Sequence, residues 1–455
     1  MTRRLALPFL SVLLACTAAN PPQFHDNTAD EGARPNILLI VTDDQRDGTM
    51  SMMPDVERWF GAGGTRYENA FATTPVCCPA RVSILTGLYA HNHGILTNRE
   101  DPDVLATAEP LMVQRALRNA GYRTALFGKY LNNWPNDRDP ANFDRWATTP
   151  FVAFGGEEWN VDGSVRKVTQ NSTSFLGDLS LSFLRNSERD DARPWFLDLS
   201  FMAPHLPATV EPRYLDVVVP PLDPTPAMLE VDRSDKPGYV RRRHLRSLED
   251  IQKRRVPALR SLVAVDDQVD RIMHALKEMG ELQNTLAIFV SDNGYLWGEH
   301  GRSKKAAPYL PAIEVPLYVR WPGHVAAGGI DARLVGSLDI GPTMFAAAGV
   351  EPRSEFDGRD LLDRTSDRAR LLLESWRISD EPTWSAVLTK TWIYVEYVSD
   401  RTKEITFREY YRLRDDPYQL VNLLDDGGGA NDPDVAHLAA VLERLRSCAG
   451  ADCPG

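Results

Sequence analysis

Two adjacent cysteines, Cys77 and Cys78, are followed by Pro79, Arg81 and the apolar positions Val82, Ile84 and Leu85. This order predicts the start of a buried helix, because a proline in the first turn loses no intrahelical hydrogen bond. The free N–H groups and dipole of such a helix start favour an anion beside Cys77. Two further clusters carry acidic groups. Residues 36–41, Asn-Ile-Leu-Leu-Ile-Val, run into Asp43 and Asp44, and residues 285–290, Thr-Leu-Ala-Ile-Phe-Val, run into Asp292 and Asn293. Continuous apolar runs of this length predict parallel strands covered on both faces. Ligands of open α/β sheets collect beyond the carboxyl ends of such strands, so both clusters are expected in one crevice. Asp43, Asp44, Asp292 and Asn293 offer only oxygen, which suits a hard cation, calcium ahead of magnesium. Singly, each feature has a plainer account as core cysteines or as turn residues. Their coincidence at two strand ends favours a metal-assisted site.

Residues 77–87 fit C-x-P-x-R-x-x-x-L-T-G at every fixed position, which resembles the signature of the type I sulfatases. The resemblance implies an α/β, alkaline-phosphatase-like fold, with a large mixed, mostly parallel sheet flanked by helices and a smaller C-terminal α+β subdomain of antiparallel sheet and helix. It implies that a formylglycine-generating enzyme oxidises Cys77 to formylglycine, whose hydrate attacks sulfate esters. It also implies that Ca2+ is held by Asp43, Asp44, Asp292, Asn293 and residue 77. Arg81 then assists the nucleophile. Lys129, in Phe-Gly-Lys-Tyr-Leu, and Lys305 match lysines that contact sulfate oxygens, the spacing from His300 favouring Lys305 over Lys304. His205, in Pro-His-Leu-Pro after a strand at residues 195–201, matches the histidine that protonates the departing oxygen.

One position departs from the family pattern. Leu131 stands where the segment Gly-Lys-Trp-His has its histidine, and Asn132 and Asn133 follow. This variant resembles the branch of N-acetylglucosamine-6-sulfatases and heparan 6-O-endosulfatases, which makes 6-sulfated glucosamine in a glycan the expected substrate, with Leu131 opening or drying the pocket. His93 is a candidate for the absent histidine, against the plainer reading of an exposed loop residue. Glu299, His300 and Lys304 are further substrate-binding candidates. Residues 411–423 resemble the family's closing motif, so the resemblance spans about residues 35–453.

Positioning these groups requires a large core, and 455 residues with 43% hydrophobic content supply one. A catalytic domain is expected over residues 35–365 and a subdomain over residues 366–455. Residues 256–279 predict a helix, with Leu259, Leu262, Val263, Val269, Ile272, Met273 and Leu276 on one face. The proline-rich residues 204–235 predict a rim of the site. Strand patterns fall at residues 383–398 and 408–413, and Asp432 with Pro433 is expected to cap a last helix ending at Leu445.

A net charge of −12 gives no overall attraction to sulfated substrates or nucleic acid, so positive charge must be local. Arg241, Arg242, Arg243, His244 and Arg246 form one basic cluster, either a solvated face or a grip on a polyanionic glycan. At the N-terminus, Arg3 and Arg4 precede an apolar run at residues 5–15, which predicts an export signal. Leu-Leu-Ala before Cys16 resembles a lipobox, with Cys16 lipidated as the only membrane attachment and residues 17–34 as tether; the alternative is an ordinary signal cut at residues 18–19. The expected location is the periplasm or cell surface. There Cys448 and Cys453 are expected to pair in a small disulfide loop. Competing functions are a broad arylsulfatase, a phosphodiesterase or phosphonate monoester hydrolase of the same superfamily, and an unmodified sulfated-glycan binding protein.

Overall fold

The computed structural model describes residues 34–190, 192–351 and 356–453. The expected export signal, Cys16 and nearly all of the tether lie outside them. Ten strands form one sheet: β1 (Asn36–Thr42), β2 (Thr65–Phe71), β3 (Arg123–Gly128), β4 (Arg145–Thr148), β5 (Glu157–Val161), β6 (Ser164–Val168), β7 (Trp195–Ser200), β8 (Thr285–Ser291), β9 (Leu317–Arg320) and β10 (Gly329–Gly336). Their spatial order is β10-β2-β9-β8-β1-β7-β3-β4-β5-β6. The block β8-β1-β7-β3-β4 is parallel throughout, whereas β9 and the β5–β6 edge are antiparallel to their neighbours.

Every residue of β1, β7 and β8 is buried. Alternation along β1 separates two cores. Leu38 and Ile40 face the helices Ser172–Ser187 and Leu248–Met279, while Ile37, Leu39 and Val41 face the helices Cys77–Thr86 and Ile340–Ala347. Register then decides what meets at the carboxyl edge. Thr42 pairs with Ser291, Val41 with Ser200, and Ser200 with Gly128, so β1, β8, β7 and β3 end almost level. Asp43, Asp292 and Lys129 therefore leave the sheet side by side.

The predicted helix at residues 256–279 begins earlier, at Leu248, and runs through Pro257. Ser247 is its cap, accepting the Asp250 N–H. The predicted strand at residues 383–398 is a hairpin, β12 (Thr383–Leu388) and β13 (Trp392–Val398), flanked by β11 (Leu371–Ser375) and β14 (Ile405–Arg412) in a four-stranded antiparallel sheet. The last helix, Val435–Arg446, is capped by Asp434, which accepts the His437 N–H, and not by Asp432. Cys448 and Cys453 are disulfide-bonded just beyond it. From Arg34 onward the chain is one compact unit, and a third core joins Phe71 and Tyr309 to Leu372, Tyr394 and Leu442. The boundary near residue 366 thus separates two sheets that share a core. Among the described residues no helix is long and apolar enough to cross a membrane.

Candidate active site

Cys77 is the first residue of the helix Cys77–Thr86, which is buried at every position. Its thiol donates to Asp43 Oδ1 at 3.3 Å and receives Lys305 Nζ at 2.6 Å. Burial, with Asp43 beside it, pushes the thiol up to about 12, so an unmodified Cys77 stays neutral and is a poor nucleophile. Cys78 is structural: its N–H donates to Asn98 Oδ1 at 2.7 Å and its sulfur accepts the Asn132 N–H at 2.9 Å.

Around residue 77 the strand ends assemble alternating charges. Lys129 Nζ contacts Asp43 Oδ2 at 2.5 Å, and Arg81 Nε contacts Asp292 Oδ2 at 2.9 Å, with Arg81 Nη1 on the Lys129 carbonyl at 2.8 Å. Lys305 also pairs with Asp44. Asp44 adopts a left-handed φ of 70°, which aspartate tolerates better than most residues, and its N–H donates to Asp292 Oδ1 at 3.1 Å. Lys129 is delivered by Gly128, at φ 120°, where a Cβ would lie 1.8 Å from the Ser200 carbonyl oxygen. Burial opposes ionisation of Asp43, yet Lys129, His205, Lys305 and Arg81 together hold it well below the carboxylate range. Asp292 is pushed up by burial and by Asp43.

Ligand atoms of Asp43, Asp44, Cys77 and Asp292 lie within 4.8 Å of one another. Asn293 Nδ2 donates to Asp44 Oδ1 at 2.7 Å, and its Oδ1 is buried without a hydrogen-bond partner among the described residues. Three carboxylates and an orphaned amide oxygen fit a hard divalent cation. His205 stands at the rim, its Nε2 3.7 Å from Asp44 Oδ2 and its Nδ1 without a hydrogen-bond partner among the described residues.

The Sulfatase family model matches residues 35–350. The chain belongs to the sulfatase family. A second family model, N-sulphoglucosamine sulphohydrolase, C-terminal, matches residues 298–447. The extracellular sulfatase SULF-1 homolog of Drosophila melanogaster is 34% identical over 370 residues, which cover 77% of this chain and 33% of that protein. The chain thus spans a third of the fly protein and about half of its Caenorhabditis elegans counterpart. The N-acetylglucosamine-6-sulfatase of Homo sapiens is 27% identical, with 92% of this chain and 86% of that protein covered. A solved structure described as being in complex with its substrate D-glucosamine-2-N,6-O-disulfate superposes with a TM-score of 0.79 at 22% identity, covering 91% of this chain and 98% of that one.

Not every residue singled out from the sequence of this sulfatase-family chain reaches the cluster. His93 is buried in the short helix Ala90–His93, its Nε2 against Ser83 Oγ and its Nδ1 accepting the Ile95 N–H, each at 3.1 Å. It is neither an exposed loop residue nor a pocket residue. Leu131 is fully buried in the core containing Tyr130 and Trp134, so it presents no surface to a substrate. Glu299 is consumed by Arg46 at 2.7 Å and by the Trp297 and Gly298 N–H groups. His300 Nδ1 meets Glu230 Oε2 at 2.7 Å, and its ring packs on Tyr309. Both are buried props of the loop that carries Lys305. Lys304 is exposed and, with Lys305, lines a cavity of about 330 Å3 at the site's mouth. Arg243 and Arg246 of the basic cluster line the same cavity, as does Asn98, which was not among the residues expected because it lies in no motif and at no strand end.

Proposed function

We propose that this protein hydrolyses sulfate esters of a glycan, the 6-sulfate of a glucosamine unit being the preferred substrate, with formylglycine made from Cys77 as its nucleophile. The observation that carries this reading is the buried contact of Cys77 with Asp43 and Lys305, inside a ring completed by Arg81, Lys129, Asp44 and Asp292. Burial and Asp43 disfavour a Cys77 thiolate more than Lys129 and Lys305 favour it, so the surrounding suits a modified residue 77 better than a plain cysteine nucleophile. Residue 77 would carry the formylglycine made by its generating enzyme, which would supply a hydrated aldehyde as the nucleophile toward sulfate esters. Asp43, Asp44, Asp292 and Asn293, with residue 77, would hold Ca2+, which would supply Lewis-acid stabilisation of negative charge at the site.

The chain's own side chains divide the remaining work. Arg81, fixed by Asp292 and the Lys129 carbonyl, holds positive charge under residue 77. Lys129 and Lys305 are anchored on Asp43 and Asp44, so their ammonium groups are oriented before sulfate arrives and need no reorganisation as charge builds on its oxygens. His205 carries the proton for the departing sugar oxygen. The glucosamine assignment is supported by the human relative's name and by the substrate of the similar solved structure. Export, with a lipid on Cys16, belongs to the same proposal and is supported by residues 3–16 and by the extracellular relatives.

Release of inorganic sulfate from glucosamine-6-sulfate, galactose-6-sulfate and an aryl sulfate tests the reading. A kcat/KM highest for glucosamine-6-sulfate is expected. A highest value for the aryl ester defeats the glycan assignment, and no sulfate from any ester defeats the activity.

A further inference from the structure

The basic cluster at residues 241–246 is not used by the chemistry above. Arg241 and Arg242 are exposed, and only Arg243 and Arg246 reach the cavity at the mouth of the site. That cavity adjoins the nucleophile, because Val76 and Lys305 both line it. Five basic side chains face it against two acidic ones, a local reversal of the protein's overall charge of −12.

Most of that positive charge is already engaged. Asp380 pairs with Arg243 at 2.7 Å and with Arg302 at 3.0 Å, and Glu381 also pairs with Arg302. Arg246 and Lys304 have no ion pair among the described residues. Arg246 Nη2 donates to Ser303 Oγ at 2.9 Å, while its Nε is buried without a hydrogen-bond partner. Lys304 holds φ at 82° and Ala306 at 68°, so left-handed residues straddle Lys305; the Lys304 backbone is fixed there by bonds to Leu296 in both directions. Such a conformation costs free energy outside glycine and persists where surrounding structure enforces it. Here it puts Lys304 and Lys305 on one cavity wall. A volume of about 330 Å3 is at the small end for ligand sites and suits one sugar unit.

We propose that Lys304 and Arg246 form a second-anion subsite, binding another sulfate on the same sugar whose 6-sulfate faces residue 77. The proposal rests on the sulfatase reading above and goes beyond it, since it makes a disulfated glucosamine the better substrate. The test compares D-glucosamine-2-N,6-O-disulfate with glucosamine-6-sulfate, using the full calcium-loaded protein and its Lys304→Ala/Arg246→Ala variant. A charged hydrogen bond is worth enough that the ratio of the two kcat/KM values, disulfate over monosulfate, should fall about tenfold or more in the variant, through KM. An equal loss on both substrates overturns the subsite. If the unsubstituted protein releases sulfate from neither, the sulfatase reading fails instead, and calorimetric binding of the disulfate still decides: weaker binding by the variant upholds the subsite, and equal affinity overturns it.

Discussion

Lys305 Nζ lies 2.6 Å from Cys77 Sγ while pairing with Asp44, so one ammonium ties the nucleophile position to a carboxylate of the proposed metal cluster. It comes from a loop about 230 residues further along the chain, held by the part-buried Arg46–Glu299 and Glu230–His300 pairs. Lys305→Ala should lower kcat by about 10² to 10³, the usual effect of removing one oriented charge from a developing anion. Steady-state kinetics with a circular-dichroism check of folding measures it. A kcat within about twofold of the unsubstituted enzyme would remove Lys305 from the mechanism.

Chelation of divalent metal should abolish sulfate release, and calcium should restore it. The melting temperature should also rise with calcium concentration, because a ligand of the folded state alone stabilises it by mass action. Asp292→Ala should erase both responses and leave Arg81 without its carboxylate. Elemental analysis finding no divalent metal in active protein contradicts the assignment.

Gly128→Ala should destabilise by about 2 to 4 kcal/mol, since φ 120° and a Cβ 1.8 Å from the Ser200 carbonyl cannot both be accommodated. The same shift moves Lys129, whose N–H bonds that carbonyl at 2.8 Å, so activity should fall with stability. A urea titration showing a change below about 0.5 kcal/mol contradicts the close packing of β3 on β7.

His93 is held neutral, down at about 3 against 6.5 for a free imidazole, because burial and, after it, the nearby His91 disfavour its charged form. The unfolded chain therefore takes up a proton that the folded chain refuses. Its contribution is complete above pH 6.5 and is lost as pH falls toward 3, with a slope of at most about 1.4 kcal/mol per pH unit. Denaturation midpoints over that window should fall less steeply in His93→Gln. An unchanged slope would show that other groups set the acid response.

The acidic part of the site was legible in the sequence because Asp43, Asp44, Asp292 and Asn293 lie at strand ends. Apolar runs ending in Asp43 and Asp292 specify buried parallel strands, and level register brings their ends together without help from loops. Lys129 and His205 also follow strands, but they were picked out by the resemblance of their segments to family motifs. The periphery was not legible. Glu299 and His300 look like pocket residues until partners 253 and 70 residues away consume them. Leu131 was misplaced because a chain leaving β3 can turn either face inward, and the Tyr130–Trp134 core takes the leucine. The helix expected from residue 256 starts at Leu248, because the turns before Pro257 are supported by the Ser247 cap and by Ile251 in the core.

The account stands most directly on the covalent state of residue 77. A mass spectrum of the tryptic peptide containing it, from active protein made in the native host, should show the thiol replaced by an aldehyde oxygen in a fraction that tracks specific activity. An intact Cys77 thiol throughout fully active protein would contradict it.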